Sequence, residues 1–177
     1  MPRNDHPTSE RIAVRRALGW GAALAAVLSL SCGSKGSVAV TATIGSPDIS
    51  VDASSALAAR LTGSFHLHLE LGQHASSATD VSVGQGNLTL RDATRQASLV
   101  LLRFTTTPPA PFHLDPGGKL DIAFTIADKA ETSGQLLSKD EESAVCAARA
   151  GVQIAGSISD SGGLVAVDSA SFAIRCP

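Results

Sequence analysis

From Val38 to the C-terminus, short apolar-patterned runs alternate with clusters of Gly, Pro, Ser and Asp. The clearest run sets Phe65, Leu67, Leu69 and Leu71 against Ser64, His66, His68 and Glu70. A period of two predicts a strand with its apolar set inside and its polar set in water. Before it, Val38–Ile44 is a β-type run stopped by Gly45-Ser46-Pro47, and Ile49 and Val51 mark a second short run. Ala56–Arg60 reads as a helical turn or as the lead-in to the strong strand. After it, Ala75–Thr79 is a small polar loop. Val81 and Val83 begin a strand that Gly84-Gln85-Gly86 interrupts and Asn87-Leu88-Thr89-Leu90 resumes. Asp92–Arg95 reads as a turn. Leu99-Val100-Leu101-Leu102 is a continuous apolar run, suited to a buried strand, and Thr105–Pro111 is too rich in proline for regular structure. Leu120, Ile122, Phe124 and Ile126 alternate in the next strand. Glu141–Ala150 alone has a helical composition, with Ser138 or Asp140 as N-cap and Gly151 as stop. Val152–Ile158 and Val165–Ile174 read as closing strands, joined by the turn Asp160-Ser161-Gly162-Gly163.

Short strands recurring about every ten residues, with Gly and Pro turns between them, point to an all-β sandwich or barrel. The stretch Phe112-His113-Leu114-Asp115-Pro116-Gly117-Gly118-Lys119-Leu120-Asp121-Ile122-Ala123-Phe124 resembles immunoglobulin-like domains of bacterial surface proteins. In those domains a Leu-x-Pro-Gly turn feeds an alternating strand. The resemblance implies an immunoglobulin-like antiparallel β-sandwich with one short helix, spanning residues 38–177 as a single domain. No internal repeat is visible.

The N-terminus has a different texture. A basic stretch ending at Arg16 precedes a 15-residue apolar run, Ala17–Ser31. The run is short for a transmembrane helix and ends in small residues, the layout of a signal peptide over residues 1–31. Leu28-Ser29-Leu30-Ser31-Cys32 resembles the lipobox of bacterial lipoproteins, with Ser29 where an aliphatic residue is usual. The resemblance implies that Cys32 is lipidated and becomes the first residue of the mature protein. Residues 32–37 then form the lipidated cysteine and a flexible tether, and Gly33 implies sorting to the outer membrane in a cell with two membranes. An ordinary secretory signal cleaved nearby, or an uncleaved anchor, is the alternative.

Cysteine parity fits the lipoprotein reading. The chain has three cysteines, Cys32, Cys146 and Cys176. An odd count is awkward in an oxidising compartment. With Cys32 carrying lipid, Cys146 and Cys176 remain to form a disulfide; two buried thiols are the other possibility.

Composition narrows the function. Of 14 Lys and Arg and 16 Asp and Glu, four and two fall in the leader, which leaves 10 and 14 and a net charge of −4. A mixed, mildly acidic surface argues against nucleic acid as a partner. There is no Tyr, and the one Trp, Trp20, lies in the leader. A platform for stacking sugars or bases is therefore not expected.

His66 and His68 share one strand face and are the only candidate metal ligands, since side chains two apart on a strand point the same way. Solvated strand faces also collect His for no other reason. The acids Asp140, Glu141 and Glu142 suit the first turn of a helix, and Asp160-Ser161-Gly162 lacks the alternating oxygens of a calcium loop. No Gly-x-Ser-x-Gly elbow and no phosphate-binding loop is present, so no catalytic residue and no cofactor is expected. The expected protein is a non-catalytic cell-envelope lipoprotein, held to the membrane by lipid and serving as a structural or protein-interaction module for other envelope proteins. The alternative is a small-ligand or metal-binding lipoprotein using the His66/His68 face.

Overall fold

The computed structural model describes residues 40–54, 58–129 and 132–177. The leader, Cys32, its tether, and Ala56-Leu57 of the segment before Arg60 lie outside them. In chain order the described residues form β1 (Val40–Asp52), β2 (Arg60–Leu71), β3 (Thr79–Val81), β4 (Leu88–Asp92), β5 (Ser98–Leu101), β6 (Phe104–Thr107), β7 (Phe112–Leu114), β8 (Lys119–Ile126), β9 (Gln135–Leu136), α1 (Lys139–Ala147), β10 (Val152–Asp160) and β11 (Gly163–Asp168).

The strands assemble into antiparallel sheets, so the fold is all-β. One sheet has the order β1-β2-β8-β6, with β9 paired to the start of β2. The second has the order β11-β10-β4-β5, and β3 pairs with β7. The alternation read in β2 holds: Phe65, Leu67, Leu69 and Leu71 are buried, while His68 and Glu70 are exposed. Facing residues of β8, Ile122 and Phe124, are buried beside them, and Leu88, Leu90, Ile154 and Ile158 of the second sheet join the same apolar cluster. Phe65 and Phe124 stack with centroids 4.9 Å apart, and Phe104 meets Phe124 at the same distance. Burying each such side chain contributes roughly 1.5–3 kcal/mol, so the shared core is what holds the layers together.

Several sequence expectations change in the folded chain. Gly45-Ser46-Pro47 does not end a strand. It forms a bulge inside β1: pairing runs to Gly45↔His66, skips Ser46 and Pro47, and resumes at Asp48↔Ser64. A proline cannot serve the ladder, but an extra loop of strand can carry it. Across the bulge, Gly63 has φ 133°, and a Cβ there would collide with the carbonyl of Asp48. Only glycine lets the two backbones close up.

The interrupted strand at Val81–Leu90 is two strands of different sheets, and Thr79 already belongs to β3. Leu99–Leu102 is not uniformly buried: Val100 and Leu102 face the core, but Leu101 is 58 % exposed, because β5 lies at a sheet edge with one open face. Phe104–Thr107 pairs with β8, so only the proline-bearing part of Thr105–Pro111 is irregular. The helix starts earlier and ends earlier than its composition suggests. Ser138 caps it in a reciprocal box with Glu141, and the acids of its first turn complement its positive end.

The last expected strand, Val165–Ile174, ends at Asp168. Beyond it the chain becomes a strap along the edge between the two sheets. Ser169 bonds to Ile154 of β10, Phe172 to Val152, and the Arg175 carbonyl accepts from Val51 of β1 at 2.8 Å.

Candidate functional site

The alternation of β2 sends His66 and His68 outward together, and the register with β8 sets Asp121 opposite His68 and Ala123 opposite His66. Ala123 is short, so the Asp121 carboxylate reaches both rings. His66 Nδ1 lies 2.6 Å from Asp121 Oδ1, and His68 Nδ1 lies 2.8 Å from Oδ2. An ionised carboxylate only accepts, so each ring donates its Nδ1 proton to Asp121. The hydrogen bond from His66 holds the Asp121 carboxyl below its ordinary range; desolvation opposes it, and the charges of His68 and His66 and the hydrogen bond from His68 add to the lowering. Gly45 makes room for the cluster, because a Cβ there would stand 2.9 Å from His68 Nε2.

The three groups are about half exposed, at 45 %, 48 % and 54 %. Their donors aim at one another rather than at a shared point. Among the described residues no group of three His, Cys, Asp or Glu side chains is arranged to hold a metal ion. Among the described residues the hydrogen bonds of both rings go to Asp121, and no hydroxyl or thiol is bonded to either. Beside the cluster, Thr43, His68 and Lys119 border a shallow hollow of about 420 Å³. Lys119 there pairs with Glu70 at 3.0 Å.

A larger depression, about 610 Å³, lies on the outer face of the four-stranded sheet. Thr89 and Arg91 of β4 enter it from one side, and Asp168 of β11 from the other. Ala155 of β10 and Ala166 of β11 give it a low floor, with Gln96 and Gln153 at the rim. Gln153 Nε2 donates to Gln96 Oε1 at 3.4 Å. Nothing in the linear sequence joined these residues. The alternation Leu88-Thr89-Leu90-Arg91 was a signal for two outward side chains, but only the pairing of β4 with β10 brings Gln153 opposite Arg91.

No protein-family model, curated protein or solved structure matches the chain.

Other residues singled out in the sequence have local tasks. Cys146 of α1 and Cys176 of the strap are bonded, with Cα atoms 5.8 Å apart. Asp160 Oδ1 accepts the amide hydrogens of Gly162 and Gly163 at 2.7 and 2.9 Å and so shapes the β10–β11 turn; its Oδ2 is buried without a partner among the described residues. His113 Nδ1 lies 2.8 Å from Asp80, and this hydrogen bond raises the imidazole above its ordinary range, helped by the charges of Asp80 and Asp115. The Ser138 amide holds Glu141 below the usual carboxylate range. Among the described residues no helix is long and apolar enough to cross a membrane.

Proposed function

We propose that the protein is a non-catalytic lipoprotein of the bacterial cell envelope, anchored through Cys32, whose immunoglobulin-like domain serves as a structural or protein-interaction module. The observation that carries the reading is the bond between Cys146 and Cys176. Such bonds persist in oxidising compartments, which supports export. It also uses up two of three cysteines, leaving Cys32 at the end of the lipobox-like leader.

Strand order supports the immunoglobulin-like part. Setting aside the short β3, β7 and β9, the other eight strands taken in chain order as A, B, C, C′, D, E, F and G give one sheet A-B-E-D and the other G-F-C-C′. That is the two-sheet arrangement of immunoglobulin-like domains. The disulfide differs from theirs, joining α1 to the strap rather than strand B to strand F.

Expression in a bacterial host tests the anchor. The protein should partition into detergent, and mass spectrometry should find a diacylglyceryl group on Cys32. Cys32→Ser should give an uncleaved or soluble form. An unmodified mature N-terminus at another residue would refute the anchor. Fractionation of a two-membrane cell should place the protein in the outer membrane, as Gly33 after the cysteine suggests.

A further inference from the structure

We propose that the depression on the outer face of the β11-β10-β4-β5 sheet binds a short peptide with free ends, its carboxylate on Arg91 and its ammonium on Asp168. The inference rests on the reading of the domain as a non-catalytic interaction module and not on the lipid anchor.

The first observation is a hydroxyl. Five polar residues are buried among those described: Thr79, Thr89, Asp92, Gln135 and Ser169. Four of them have protein partners. Thr79 Oγ1 meets Ser161 Oγ at 2.9 Å, and Asp92 Oδ1 accepts the Thr94 amide hydrogen at 2.8 Å. Gln135 Oε1 accepts from the Arg103 amide at 2.8 Å, and Ser169 Oγ accepts from that of Ile154 at 2.9 Å. Thr89, 8 % exposed, has no partner among the described residues. Its neighbours Leu88 and Leu90 face the core, so its side chain faces the depression it helps to line. The hydroxyl is not sealed off, since among the described residues the only buried side-chain polar atom without a partner is Asp160 Oδ2; Thr89 Oγ1 therefore meets solvent in the depression, where a ligand can reach it.

The second observation is charge. Arg91 and Asp168 are the only charged residues lining the depression. Every ion pair among the described residues joins other groups, so each of the two faces the hollow without an opposite charge. The complementary ligand carries one charge of each sign.

The spacing sets its length. Asp168 stands opposite Ala155, and Arg91 opposite Gln153 two residues away and two strands across. Strand geometry puts their Cα atoms about 12 Å apart. An extended chain of three residues spans roughly 10–11 Å between its ends. Between the two charges, the Gln153 amide and the Thr89 hydroxyl can pair with peptide groups. No aromatic ring lines the hollow, so a sugar or base finds no surface to stack on.

The test is a titration of the full-length protein with trialanine, followed by amide NMR. Saturable shifts confined to β4, β10 and β11 are expected. Arg91→Ala and Asp168→Asn should each weaken binding about fivefold to tenfold. Thr89→Val should weaken it as well, and trialanine with both ends blocked should not bind. Arg91→Gln, which removes the charge but keeps a long polar side chain at this partly buried position, is the second variant should Arg91→Ala fail to fold. The proposal is overturned by absence of saturable shifts up to the solubility limit of the peptide. It is also overturned if blocked trialanine or acetate alone binds as well as the free peptide. Recovery of intact trialanine separates this from the broader reading: cleavage with the same dependence on Arg91 and Asp168 would refute the non-catalytic module and uphold the site.

Discussion

Leu69 and His68 are adjacent in the chain and have opposite surroundings. Leu69 is 1 % exposed in the shared core, and Leu69→Ala should cost about 2–5 kcal/mol in a urea melt. His68→Ala removes a solvated ring and should move the midpoint little; equal losses would show that the ring is held by something further. Period two made both environments readable in the sequence. The partner of the two histidines was not readable, because Asp121 sits 53 and 55 residues away from them and meets them only through the β2–β8 register. That partnership has a pH signature. The folded Asp121 carboxyl titrates below its ordinary value of 3.8. Its contribution to stability is therefore present above the unfolded value and is lost as pH falls through the folded one. Asp121→Asn should be less stable than the parent near neutral pH, and the gap should close in the acid range. A gap of constant size across urea midpoints at about pH 6 and about pH 2 would contradict this.

Elements bounded by local chemistry were legible, and elements that depend on distant neighbours were less so. The β10–β11 hairpin followed from Asp160-Ser161-Gly162-Gly163, in which Asp160 accepts the amides of both glycines; the support that Ser161 receives from Thr79 was not readable. The helix was legible from its composition and capping residue, and its cap can be measured: Ser138→Ala should cost about 0.5–2 kcal/mol, read by thermal or urea unfolding. The bulge in β1 was not legible, because Gly45-Ser46-Pro47 has the chemistry of a stop signal and only the continued pairing with β2 overrides it. Edge strands misled for a related reason. Thr105–Thr107 and Leu101 have a partner on one side only, so neither apolar content nor proline nearby reports their state. The disulfide belongs to this scale too, since it ties the closing strap to α1 across 30 residues. In the chain-entropy account a loop of that length contributes roughly 3–4 kcal/mol, so reduction, or the double change to Ala, should lower the melting temperature clearly. Thiol counting on the denatured, unreduced protein should find neither Cys146 nor Cys176 free.

At the scale of the whole molecule, regular strand spacing was enough to indicate an all-β fold but left sandwich and barrel open, while the depression appears only when Arg91, Gln153 and Asp168 from three strands share a face. The strap has a mechanical consequence. It runs in the same direction as β1, with Ser169 beside Ile44 and Arg175 beside Ser50 in parallel bridges. The bond from Val51 to Arg175 and the ion pair of Arg175 with Asp48 at 2.8 Å lie along the same seam. Tension drawn between the start of β1 and the end of the strap would slide the two lines of chain past each other. Bonds in sliding contact share the pull and fail together, whereas a hairpin pulled at its open end gives way one bond at a time. The Cys146–Cys176 bond would divert part of that pull into α1 before the seam bears it. In single-molecule stretching the domain should resist as one unit and release in a single step, at lower force once the disulfide is reduced. A seam of this kind would suit a protein that must stay folded while held at one end and pulled at the other.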